Sequence, residues 1–139
     1  MKEAPEDYIA GHGDKMGTKE ILEAAWPLRE GPAVFTTVSV SGRPNSVYVL
    51  SMRLLSDGRI AVMDNYFNKT RENIMNGSSG AFLFLARPRR QYQAKGPIEY
   101  LTSGPVYEEL KAAVDPKYPR LGVAVLTVEE LYSGAERLA

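Results

Sequence analysis

The 139-residue chain has no cysteine, a single histidine and no excess charge, with 17 Lys and Arg against 17 Asp and Glu. Without thiols there is no disulfide framework, thiolate metal site, cysteine nucleophile or dithiol redox pair. One histidine, His12, supplies neither the convergent ligands of a metal site nor the base of a hydrolytic triad, and a solvated position is its expected role. Balanced charge argues against a protein built to grip nucleic acid, whose affinity needs uncompensated Lys and Arg. No apolar run approaches bilayer-spanning length, and Glu3, Glu6, Asp7 and Asp14 stand where a secretory signal would need apolar residues, so a cytoplasmic location is the expectation. Length is also short supply: the chain can bury one core but cannot house separate cofactor and substrate domains. A site with two walls would borrow one, for instance from a second copy.

Familiar motifs fail as well. Gly11-His12-Gly13 starts like a dinucleotide fingerprint, but Met16 stands where the third glycine belongs, no strand precedes it, and the P-loop spacing is missed. There is no G-x-S-x-G elbow.

Residues 1–17 show no periodicity and read as an N-terminal arm, leaving 18–139 as a single domain. Thr18 is placed to cap a short amphipathic helix carrying Ile21, Leu22, Ala25 and Leu28, which Pro27 ends or bends. The pattern then changes. AVFTTVSV, the turn SGR and NSVYVLSMRLL predict a hairpin of two long strands, and Ser56-Asp57-Gly58 leads into a third, RIAVMD. NYFNKTRENIMN predicts two turns of helix with Asn68 or Thr70 as cap and Ile74 and Met75 as its apolar face. AFLFLAR reads as a strand buried on both faces, and QYQAKGPIEYL as a further strand that Pro97 places at an edge or bulge. SGPVYEELKAAV is the strongest helix, with Pro105 in its first turn and Val106, Leu110 and Val114 along one face. LGVAVLTV is a last strand, and EELYSGAERLA a helical or irregular tail. Six strands with tight connections predict a mainly β fold, a closed or partly closed antiparallel barrel, since a parallel sheet would need crossover helices between the first three strands.

Chemistry concentrates at Asp64-Asn65-Tyr66-Phe67-Asn68-Lys69-Thr70, where a strand ends and a helix starts. Free amides, the Lys69 cation and the Thr70 hydroxyl are the parts of a phosphate site, although spacing alone favours a capped helix with a solvated lysine. Arg87, Arg89 and Arg90 form the densest basic cluster, fitting a solvated connection or the capture of an anion. Tyr66, Tyr92 and Tyr107 are amphipathic residues of the kind enriched at interfaces between subunits.

GPAVFTTVSVSGRPNSVYV, DGRIAVMDNYFNKTRENI, AFLF and QYQAKGPIEYLTSGP, in one collinear order over residues 19 to 132, resemble the FMN-binding split-barrel family related to pyridoxamine 5'-phosphate oxidase. The resemblance implies a six-stranded antiparallel split barrel that forms a homodimer with two FMN molecules at the interface. Carried over residue by residue, Lys69 and Thr70 match the phosphate-binding pair, and Ser46, Val47 and Tyr48 the strand along the isoalloxazine. Met63, Asp64 and Asn65 match the strand end near the flavin and ribityl chain, and Gln91 a glutamine ahead of Lys95-Gly96. The chain departs from true pyridoxamine 5'-phosphate oxidases at its end, ERLA, which has no Arg-x-His motif. The implied function is an FMN-dependent oxidoreductase acting on a small molecule. The alternatives are a non-enzymatic FMN-binding electron-transfer protein and a barrel binding haem or a deazaflavin.

Overall fold

The computed structural model describes residues 16–139. The expected arm therefore lies almost wholly outside the described residues, as does His12. Helix α1 is Thr18–Ala25; Gly17 rather than Thr18 is its cap, and the Gly17 amide donates to Glu20 Oε1 at 3.1 Å. Pro27 opens the 3-10 turn Trp26–Leu28 that ends it, as its missing amide requires. The remaining elements are β1 Arg29–Val38, β2 Pro44–Val49, β3 Met52–Leu54, β4 Ile60–Asp64, α2 Lys69–Met75, β5 Ser79–Ala86, β6 Arg90–Leu101, α3 Pro105–Ala113, β7 Gly122–Leu126, β8 Glu130–Ser133 and β9 Glu136–Arg137.

Every strand pair is antiparallel, and the sheet runs β2-β1-β5-β6-β7-β4-β3, with β8 bridging β6 and β9. Strands β2 and β3 stand at opposite ends of that order yet follow one another in the chain. The sheet has therefore curled until its two edges meet, with Met63 donating its amide to the Ser51 carbonyl at 2.9 Å beside the junction. This is the expected split barrel, with nine strands in place of six.

The added strands have identifiable causes. The run Asn45–Leu55 divides at Leu50 and Ser51, because its first half belongs to one edge of the barrel and its second to the other. The tail is a hairpin and not a helix: Gly134 takes the left-handed turn at φ 59° and Leu131 is driven into the barrel interior. Nor is β5 buried on both faces. Phe82 and Phe84 point inward while Leu85 is 57% exposed. The two-sided strands are β4 and β7, buried at every residue because the barrel interior lies on one side and α3 on the other.

Two apolar clusters follow from that layering. Ile21, Leu22 and Ala25 of α1 join Phe35, Ile60, Val62, Phe82, Phe84, Leu126 and Leu131 inside the barrel. Tyr107, Leu110 and Val114 cover Ala61, Met63, Val123 and Val125 outside it. Among the described residues no helix is long and apolar enough to cross a membrane.

Strand β6 serves both halves of the barrel. Residues 90–97 pair with β5 and residues 98–101 with β7. Pro97, expected at an edge or bulge, sits at this change of partner; its carbonyl accepts the Thr127 amide at 3.0 Å. At Gly96 a Cβ would lie 1.7 Å from the Thr127 carbonyl oxygen, so only glycine fits. Gly96→Ala is accordingly expected to destabilise the fold by about 3 kcal/mol, because backbone rather than a flexible side chain would have to move. A denaturant titration showing less than about 1 kcal/mol would contradict this close approach.

Candidate functional site

The corner from β4 into α2 is organised by a buried carboxylate. Asp64 is fully buried, and its Oδ1 accepts the Phe67 amide at 2.9 Å and Arg71 Nη2 at 3.0 Å. Its Oδ2 accepts Arg71 Nε and the Tyr100 hydroxyl, each at 2.6 Å. The Asp64 carbonyl also receives the Leu121 amide at 2.8 Å. Hydrogen bonding to Asp64 raises the Arg71 pKa above its ordinary value. Burial, then the bond to Asp64, pushes Tyr100 up to about 12. Gly122 lets the ring approach, since a Cβ there would lie 2.5 Å from it.

Two clefts flank this corner and share β2 as a wall. The first, about 270 Å³, is lined by Ser39, Ser41, Arg43, Pro44, Asn45, Lys69, Glu72 and Asn73. The second, about 370 Å³, is lined by Val47, Tyr48, Val49, Leu50, Ser51, Met63, Asn65, Tyr66, Phe67 and Tyr118. The division runs along the strand: its start, Pro44 and Asn45, lines the first cleft, and Val47, Tyr48 and Val49 with the following Leu50 and Ser51 line the second.

The expected residues are distributed across this frame. Lys69 is exposed on the first cleft. Thr70 is fully buried behind it, and Asn45 Nδ2 donates to its Oγ1 at 3.1 Å. Asn68 occupies the cap position without a side-chain capping bond, and α2 has only seven residues, so the full charges of Lys69 and Arg43 outweigh its dipole. Val47, Tyr48, Met63 and Asn65 meet in the second cleft. Asp64 lines neither; it braces the corner that carries Asn65 and Lys69. Ser46 Oγ pairs with Thr36 Oγ1 at 2.7 Å across the β1–β2 ladder. Gln91 is exposed on β6 opposite Leu85 and lines neither cleft.

Arg43, Asn45 and Tyr118 are additions. Arg43 and Asn45 flank the proline of the Gly-Arg-Pro turn, where their neighbours were already visible. Tyr118 has no local signal, because only the return of the chain after α3 brings it to Tyr66, ring centroids 6.4 Å apart. Of the tyrosines considered for an interface, Tyr92 and Tyr107 are buried within the chain, Tyr92 stacking on Phe84, while Tyr66 is 73% exposed. Arg87 and Arg89 are exposed at the β5–β6 connection, whereas Arg90 donates to Ser133 Oγ at 3.2 Å and lies over the Tyr92 ring. A larger recess of about 500 Å³, with Thr36, Gln93, Lys95, Glu129 and Glu130 among its walls, contains none of the expected residues. Among the described residues no group of three His, Cys, Asp or Glu is placed to hold a metal ion.

The family model for pyridoxamine 5'-phosphate oxidase matches residues 19–133. The chain belongs to that family. It is similar to an uncharacterised protein of Methanocaldococcus jannaschii, 30% identical over 110 residues that cover 75% of this chain and 74% of the other. HupZ of Group A Streptococcus is 27% identical, covering 88% of this chain and 95% of that one at a TM-score of 0.69. An FMN-binding protein of Syntrophomonas wolfei subsp. wolfei reaches a TM-score of 0.72 with 84% and 87% covered; at 18% identity it supports the shared fold alone.

Removing the Asp64 carboxylate strands Arg71 and Tyr100. Asp64→Ala is expected to destabilise the family member by about 3 kcal/mol in a denaturant titration, and a loss under about 1 kcal/mol would contradict the bracing role. Tyr100 adds a pH signature. Unfolded tyrosine releases its proton near pH 10 and folded Tyr100 near 12, so its contribution is complete below about pH 10 and is lost as pH rises through about 12. Tyr100→Phe should flatten the fall in stability over that interval, and parallel curves for the two proteins would refute the bond.

Proposed function

We propose that this protein is an FMN-binding flavoprotein, a homodimer with its flavins at the subunit interface, that acts in the cytoplasm as an oxidoreductase on a small molecule. The observation that carries this reading is the pairing of two unlike clefts along one strand. One offers Lys69, Arg43 and the hydroxyls of Ser39 and Ser41; the other offers apolar and aromatic surface. FMN divides the same way, with a phosphate at one end and a largely apolar ring at the other.

The donor set fits each half. Lys69 and Arg43 would take the phosphate through charge-assisted hydrogen bonds, while Asn45, tied to Thr70, fixes the wall between them. Strand β2 at Val47 and Tyr48, with Met63 and Asn65 at the end of β4, would hold the ring. Bound FMN supplies the storage and transfer of electrons, leaving the protein to position the ring and exclude water.

The outer face of the sheet supports the dimer. Tyr48, Val34, Leu83 and Gln93 fall in one cross-strand row, and Leu85 and Val38 extend the same face. Tyr48 is 78% exposed, and Leu85 and Val38 are exposed too, an apolar surface of the kind that subunit contacts cover. Gln91 shares that face, so in this reading it meets the flavin of the partner subunit and not its own.

Lys69→Ala tests the phosphate end. FMN affinity is expected to fall about tenfold to a hundredfold, the loss of one charge-assisted hydrogen bond, while riboflavin affinity changes little and circular dichroism stays the same. An unchanged FMN dissociation constant in a folded Lys69→Ala protein would reject the assignment.

A further inference from the structure

The second cleft carries information about what enters beside the flavin. Among the described residues its ten lining side chains include no Asp, Glu, Lys or Arg, although charged residues make up 24% of the chain. An ionic ligand entering such a cleft would surrender hydration with no counter-charge to replace it. Neither of the nearby cations, Arg120 and Lys117, is among its lining residues. Arg120 Nη1 donates to the Lys111 carbonyl at 3.3 Å, and Lys117 Nζ lies 5.2 Å from the Tyr118 ring centroid without lining the cleft.

The rim is aromatic and fixed in advance. Tyr66 and Tyr118 meet edge to face at an interplanar angle of 77°. Tyr118 is carried by a loop tied at several points: its amide donates to the Asp115 carbonyl at 3.0 Å, the Arg120 amide to Asn65 Oδ1 at 3.1 Å, and the Tyr107 hydroxyl to the Arg120 carbonyl at 3.0 Å. Arg120 takes a left-handed backbone at φ 50°, which a non-glycine residue holds only when its surroundings impose it. The Asn65 carboxamide oxygen is thereby engaged. A rigid, exposed aromatic edge suits a flat partner, because stacking on it loses little conformational freedom.

We infer that the Tyr66–Tyr118 rim selects an uncharged, planar aromatic substrate and discriminates against anionic ones, pyridoxamine 5'-phosphate included. This rests on the flavin reading above, with the ring along β2 and the substrate against the tyrosine rim.

The test uses FMN-loaded protein and two probes of nearly equal shape, naphthoquinone and naphthoquinone sulfonate, with binding followed by equilibrium dialysis and by perturbation of the flavin visible spectrum. Naphthoquinone is expected to bind at least tenfold more tightly than its sulfonate, and Tyr118→Ala to weaken naphthoquinone binding at least tenfold by removing the stacking edge; unchanged affinity in a folded Tyr118→Ala protein counts against the rim. Equal or tighter binding of the sulfonate overturns the proposal. Should Tyr118→Ala fail to fold, Ser51→Lys places a cation in the cleft and is expected to shift the preference at least tenfold toward the sulfonate; an unchanged ratio counts against the proposal. A protein that refuses FMN overturns the flavin reading, and the same two probes titrated onto the unloaded protein then test charge selection by itself.

Discussion

The buried carboxylate of Asp64 is the interaction on which the rest of the site depends. It gathers donors from the following turn, from α2 and from β6, while its backbone carbonyl holds the start of β7. A carboxylate so far from water is tolerated because Arg71 balances its charge and four hydrogen bonds replace its hydration. One side chain thus sets where Asn65 and Tyr66 stand in the apolar cleft and where Lys69 stands in the polar one. The site is built on strand ends braced from behind, a more rigid base than free loops would give.

Curling the sheet creates the second condition for the site. Because β2 and β3 are consecutive in the chain but terminal in the sheet, the barrel closes along β2, and that strand presents different residues to two clefts. The balanced net charge of the whole chain is compatible with this arrangement. In the proposed reading a single phosphate needs only a local pair of cations, Lys69 and Arg43, and not an excess over the molecule. The shortness of the chain has a counterpart in the outer face, where Tyr48, Leu85 and Gln91 wait on surface that this chain leaves uncovered.

Much of this was legible in the sequence, for reasons that can be named. β-Branched runs broken by Ser41-Gly42-Arg43 and Ser56-Asp57-Gly58 mark local hairpins, although the first turn begins two residues earlier, at Ser39, and Lys69-Thr70 follows a strand end closely enough to read as one site. What was missed is non-local. Nothing near Asp64 announces that Tyr100, 36 residues away, reaches its carboxylate. No glycine or proline marks the break at Leu50 and Ser51, which the closure of the barrel imposes. The tail was misread because ELYS is too short to show a period, and it becomes a strand only by pairing with β6. Burial on both faces went to β5, whose apolar outer residues look the same in sequence whether a helix, another subunit or water covers them.

Sedimentation of the purified protein with FMN, read by visible flavin absorbance, bears most directly on the central claim that one chain supplies a split site completed by a second copy. The account predicts that the absorbance travels with a species of twice the 15.4 kDa chain mass and that one FMN is bound per chain. Flavin travelling with a single chain, or protein sedimenting free of flavin at saturating FMN, would contradict it.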